Sequence, residues 1–65
     1  MHIDLNGKRM TTEAATLAAL LEEQGFDAAS VATALDGAFV PRSLRHAASL
    51  ADGAKVEVLS PMQRG

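Results

Sequence analysis

The residues most able to do chemistry stand at the end of the sequence, in Ser60-Pro61-Met62-Gln63-Arg64-Gly65. This hexapeptide follows a strand-like run, Lys55-Val56-Glu57-Val58-Leu59, and has no apolar residue after Met62. Its last residue is glycine, which carries no side chain. A bare backbone carboxylate can enter a narrow active site that any Cβ would obstruct. The expected working group is therefore the α-carboxylate of Gly65 rather than a side chain.

Side chains elsewhere offer little competition. The 65 residues contain no cysteine, which excludes a disulfide framework, a thiol nucleophile and a zinc–thiolate site. His2 and His46 are far apart in sequence, with no carboxylates at ligand spacing, and read as solvent-facing. Among the acidic residues, Glu22 and Glu23 read as the wet side of a helix, and Asp36 and Asp52 as turn residues. Six basic and eight acidic residues give a net charge of −2, which argues against nucleic acid as a partner. Phe26 and Phe39 are the only aromatics, too few for a base-stacking platform. The apolar stretch Leu17 to Leu21 is too short to cross a membrane. The start, Met1-His2-Ile3-Asp4, does not read as a secretory signal, so the chain is expected in the cytoplasm, with no membrane partner.

The elements that must position the terminus are legible from periodicity. His2-Ile3-Asp4-Leu5 alternates polar and apolar as a half-buried strand does, and Asn6-Gly7 signals a two-residue hairpin turn into Lys8–Thr11. Thr16 is placed to cap a helix whose apolar stripe is Leu17, Leu20 and Leu21. Gly25 fits the left-handed residue after that helix, with Phe26 folding back onto its last turn. Val31–Leu35 and Ala38–Val40 flank a second hairpin signal, Asp36-Gly37, and Pro41 stops the strand. One helical turn plus loop is expected over Arg42–Ser49, with Leu50 as an anchor, then a tight turn at Asp52-Gly53 and a last strand with Val56 and Val58 inward. One helix covers one face of a four- or five-stranded sheet, so the class is α+β, with the first and last strands parallel in the middle.

That order is that of the ubiquitin-like β-grasp roll, a mixed sheet with one main helix packed on one face. Residues 31–42, from Val31 through Val40-Pro41-Arg42, and residues 50–63, ending in Ser60-Pro61-Met62-Gln63, resemble the ThiS family of sulfur carriers in thiamine biosynthesis. The resemblance covers essentially the whole chain. It implies a β-grasp domain over residues 1–59 and a flexible tail over residues 60–65. It also implies that the chain is a carrier and not an enzyme. Members of the family have their terminal glycine carboxylate adenylated by an E1-like enzyme of the ThiF type. The ATP is used by that partner, and the carrier binds no cofactor or metal of its own. A sulfur donor such as a cysteine desulfurase or rhodanese then supplies the sulfur of a thiocarboxylate, which passes to a thiazole synthase of the ThiG type. In this reading Gly65 carries the sulfur, and Met62, Gln63 and Arg64 thread toward the adenylating site. Met62 either packs at the sheet edge or is gripped by a partner.

Alternation along the last strand points Lys55, Glu57 and Leu59 away from the helix. The resemblance implies that Ala34, Phe39 and Leu59, with Ala32, form an apolar docking face, as is common among ubiquitin-fold proteins; the plainer reading is Phe39 in the core and Leu59 as one ordinary exposed leucine. Arg42 and Arg45 read either as a cationic rim to that face or as plain solvated side chains. The family ends in Gly-Gly, whereas Arg64 stands here before Gly65. A tolerated variant, an end lacking a final glycine, and a carrier that is no longer charged all fit that departure. Carriers for other pathways (molybdenum cofactor, tRNA thiolation, cysteine synthesis) and an uncharged ubiquitin-like interaction module or modifier are the rival readings.

Overall fold

A computed structural model describes residues 1–60. Its elements run β1 (His2–Leu5), β2 (Lys8–Thr11), α1 (Leu17–Glu23), β3 (Ala32–Leu35), β4 (Ala38–Val40), a 3-10 helix (Arg42–Ala47) and β5 (Ala54–Leu59). The sheet order is β2-β1-β5-β3-β4, with β1 and β5 parallel at the centre and the other neighbours antiparallel. This five-stranded mixed sheet with one α-helix is the expected β-grasp roll.

Local chemistry explains the elements. In both hairpin turns the two central residues have positive φ, at Asn6 (53°) and Gly7 (81°) and again at Asp36 (51°) and Gly37 (85°). That pair of left-handed residues matches the twist of the flanking strands, and Asn or Asp before Gly accommodates it with least strain. Thr16 caps α1, its Oγ1 accepting from Ala19 N–H at 3.2 Å. At the other end, Phe26 N–H donates to Leu21 O and Gly25 N–H to Glu22 O, a Schellman closure with Gly25 at φ 78°. Phe26, half-buried, folds back against the core as expected.

The core lies between α1 and one sheet face. Leu17, Leu20 and Leu21 from the helix meet Ile3, Ala54, Val56 and Val58 from the two central strands, closed by Ala14 and Leu50. Backbone bonds from Leu17 N–H to Ala48 O and from Leu50 N–H to Ala15 O zip the segment before β5 onto the helix start. Leu50 is thus the core anchor that its place in the sequence suggested.

Two boundaries differ from expectation for identifiable reasons. β3 begins at Ala32 rather than Val31, because the Val31 carbonyl accepts from the Arg45 guanidinium. The Arg42–Ala47 segment is 3-10 helix throughout its six residues, entered directly from Pro41, instead of one turn followed by loop.

Candidate functional site

β5 presents opposite surfaces on alternate residues. Val56 and Val58 are buried at 1% and 5% exposure, while Leu59 is 69% exposed on the helix-free face. The register sets Leu59 opposite Ala32, and Ala34 between Glu57 and Phe39. Phe39 is 70% exposed. Ala34 is half-buried, Ala32 is exposed and Arg42 is exposed at the start of the 3-10 helix. Leu59, Ala32, Ala34 and Phe39 therefore fall on one face in adjacent register, as the alternation predicted. The short alanines leave the two large side chains standing above them.

The apolar surface continues past β4. A groove of about 290 Å³ is lined by Phe39, Val40, Pro41, Leu44, Ala47 and Ala48. Leu44 is 54% exposed there, and the sequence reading had not singled it out. A second groove, of about 350 Å³, runs beside the end of β5 and is lined by Ala29, Ser30, Val31, Ala32, Leu59 and Ser60. The other end of the open face is charged. Arg9, Asp4 and Lys55 stand in one register row, next to a cleft of about 230 Å³ that also includes His2, Asp52 and Gly53.

Side-chain hydrogen bonds fix β5 on both flanks. Asn6 Oδ1 accepts from Val58 N–H at 2.8 Å and Asn6 Nδ2 donates to Val58 O at 3.2 Å, adding a rung after β1 has turned away. Asp36 Oδ1 accepts from Lys55 N–H at 2.9 Å. At the charged end, the His2 backbone N–H donates to Asp52 Oδ1 at 2.7 Å and holds that carboxyl below its ordinary value. The His2 imidazole Nδ1 lies 3.9 Å from the same oxygen. On the helix side, the Thr12 hydroxyl, the Gln24 amide and the Glu13 backbone N–H all donate to Glu23 and lower its pKa.

Arg45 corrects the sequence reading. Neither a rim cation nor a solvated side chain, it is 4% exposed. Its Nε donates to Thr33 Oγ1 at 3.0 Å, one terminal nitrogen to Ala28 O at 2.8 Å and the other to Val31 O at 2.6 Å. No pattern of spacing signals this. Its partners are two carbonyls in a loop and one hydroxyl on β3, and backbone acceptors leave no trace in side-chain sequence. The bonds of Asn6 to β5 and of Glu23 to Thr12 and Glu13 are equally silent in the sequence, because the local chemistry of a turn or surface residue does not reveal a partner distant in sequence.

The remaining site expectations, at Met62, Gln63, Arg64 and Gly65, lie outside the described residues. Among the described residues, no group of three or more His, Cys, Asp or Glu side chains is placed to hold a metal ion, and no helix is long and apolar enough to cross a membrane.

Comparison with known proteins agrees with this geometry. No functionally curated sequence matches the chain significantly. A crystal structure of the thiamine biosynthesis protein ThiS from Geobacter metallireducens superposes with a TM-score of 0.85 at 30% identity, covering 100% of both chains. The solution structure of a thiamine biosynthesis protein from the same organism gives 0.83 at 30% identity, covering 100% of this chain and 88% of that one. The model of the ThiS family matches residues 3–65, nearly the full length, so the chain belongs to the ThiS family.

Proposed function

We propose that this protein is a sulfur carrier for thiamine biosynthesis, loaded at the α-carboxylate of Gly65 and discharged into thiazole formation. The observation that carries the reading is the family match, which extends through residue 65 and so includes the terminal segment as well as the folded body. The chain acts as a co-substrate, and the catalysis belongs to its partners.

A carboxylate is a poor electrophile because its charge is delocalised and its leaving group is oxide. Attack of the Gly65 carboxylate oxygen on the α-phosphorus of ATP releases pyrophosphate and forms an acyl-adenylate. A sulfur nucleophile then attacks the carbonyl carbon and AMP leaves. Hydrosulfide as the nucleophile gives the thiocarboxylate directly, whereas a persulfide gives an acyl disulfide that a thiol then cleaves, leaving a disulfide behind; the thiocarboxylate is the sulfur donor for thiazole synthase. The ATP is bound and spent by the adenylating enzyme.

The folded body supplies geometry. Five residues separate Ser60 from the end of the sequence. Fully extended, five residues reach at most about 17 Å. With Gly65 as the loaded residue, the adenylating active site lies within that radius of the β5 end. The surface there is the apolar set Leu59, Ala34 and Phe39, with Arg42 at its margin. In this reading that face seats the E1-like enzyme and the thiazole synthase in turn. Met62, Gln63 and Arg64 pass through the adenylating slot, and Arg64 is tolerated there.

The test is direct. The protein is incubated with ATP, its cognate adenylating enzyme and a sulfur donor, and its intact mass is measured. Replacement of one oxygen by sulfur is expected, and it should disappear when Gly65 is deleted. An Arg64→Gly variant should charge no better than the natural sequence by more than a small factor. A natural chain that stays unmodified beside a charging Arg64→Gly control would refute the reading for this protein.

A further inference from the structure

We propose that Arg45 is a positioning residue that pins the α1–β3 connection and so shapes the wall of the groove beside the β5 end. The functional consequence rests on the carrier reading above, because that groove borders the point where a loading enzyme must approach.

A buried guanidinium is costly unless its donors are satisfied. Among the described residues no carboxylate lies within ion-pair distance of Arg45. Its charge is solvated by the carbonyls of Ala28 and Val31 and by the Thr33 hydroxyl. An aliphatic side chain would fill the same volume without that desolvation cost, so the arginine contributes direction more than burial. The rigid planar fork reaches two carbonyls three residues apart, which a single point donor cannot do.

Phe26 and Val31 pack against the core at the two ends of the connection, and those two bonds matter for the exposed stretch between them. Asp27–Ser30 closes on itself: Ser30 N–H donates to Asp27 O at 2.9 Å, Ser30 Oγ to Asp27 Oδ2 at 2.8 Å and Ala29 N–H to Asp27 Oδ1 at 3.2 Å. Among the described residues, the hydrogen bonds that tie Asp27–Val31 to the rest of the domain outside the sheet ladder are the two that Ala28 O and Val31 O accept from Arg45. Ala29, Ser30 and Val31 line the groove together with Ala32, Leu59 and Ser60. Thr33 Oγ1, which accepts from Arg45 Nε, itself donates to Val40 O at 2.9 Å. One guanidinium thereby ties the loop beside Leu59 to the strand that carries Phe39.

Arg45→Met keeps the bulk and removes the donors. Arg45→Lys keeps the charge and the stem but reaches fewer acceptors. In Arg45→Met, amide hydrogen exchange at Ala29, Ser30 and Val31 should accelerate by at least about tenfold while Ile3 and Val56 stay protected. In the loading assay the KM of the adenylating enzyme for the carrier should rise roughly tenfold with kcat retained, and Lys should recover part of the loss. Unchanged exchange at residues 29–31 overturns the pin, whether or not the protein is loaded. Faster exchange with an unchanged KM overturns its role in docking while leaving the carrier reading intact. Failure of the natural protein to load removes the carrier reading, and the exchange result still decides the pin. If Arg45→Met does not fold, Arg45→Lys carries the same measurements.

Discussion

The two faces of the central strand β5 do different work with similar material. Toward α1, Val56 and Val58 sit in the aliphatic core, almost wholly out of water. On the reverse, Leu59 stands about two-thirds exposed opposite Ala32, with Phe39 beside Ala34 on the next strands. An apolar side chain left in water adds nothing through burial in the free protein, and the docking proposed above would give it a use. On the function proposed above, stability and recognition are segregated here by a two-residue period. The open face is itself divided. Its charged row, Arg9, Asp4 and Lys55, lies at the start of β5, and its apolar set lies at the end, where the chain leaves the sheet.

The sharpest way to break this contrast is Leu20→Ala on the covered side. Leu20 is fully buried, and such truncations cost about 2–5 kcal/mol. Small single-core domains rarely hold more than about 3–5 kcal/mol in all. Urea unfolding should therefore show the variant largely unfolded. A cooperative transition close to that of the natural protein would deny that the helix-covered face carries the stability.

A smaller effect is expected at Asn6, on the β1–β2 turn beside the core. Asn6→Ala removes both bonds to Val58 and leaves a residue with a Cβ at φ 53°. The lost bonds and the strain together should cost about 1–3 kcal/mol. Asn6→Gly removes the bonds and tolerates the conformation, so the gap between the two variants isolates the strain. Equal stability of Ala, Gly and Asn at this position would mean that the extra rung to β5 contributes nothing.

On the open face, Phe39→Ala and Leu59→Ala should each change unfolding free energy by less than about 0.5 kcal/mol. Loading by the adenylating enzyme should suffer instead, through a raised KM. The reverse pattern, a destabilised domain that loads normally, would place these residues in the core economy and remove the docking reading.

Much of this contrast was legible in the sequence, and the part that was not has a physical explanation. Strand alternation announced Val56 and Val58 inward and Leu59 outward, and paired left-handed turn signals placed both hairpins. Thr16, Gly25 and Phe26 announced the ends of α1 through side-chain types that helix caps require. Arg45 was illegible because its partners are carbonyls of Ala28 and Val31, which every residue possesses. Leu44 and Arg45 also invert the usual rule, the leucine exposed and the arginine buried, within one turn of 3-10 helix. Glu23 was read as the wet side of α1, which its exposure supports, but its carboxylate also holds Thr12 and Glu13. A surface position does not reveal whether a carboxylate is idle.

The smallest predicted effect comes from that carboxylate and is read through pH. The Thr12 hydroxyl is the largest influence lowering the Glu23 pKa, followed by the Gln24 amide and the Glu13 N–H. A folded-state pKa below the unfolded one means that the unfolded chain binds the proton more readily. The stabilisation is then complete above the unfolded-state value and shrinks as pH falls from that value toward the lowered one. Glu23→Gln carries no such titration. Thermal unfolding should show the natural protein slightly more stable than Glu23→Gln at neutral pH, with the gap closing on acidification. Asp52, in the turn before β5 and lowered chiefly by the His2 N–H, should behave likewise against Asp52→Asn. Because the two carboxylates share no partner, the double variant should lose the sum of the two small effects. A gap that widened as the pH fell would reverse the sign of the linkage, and would mean that these hydrogen bonds favour the protonated acids.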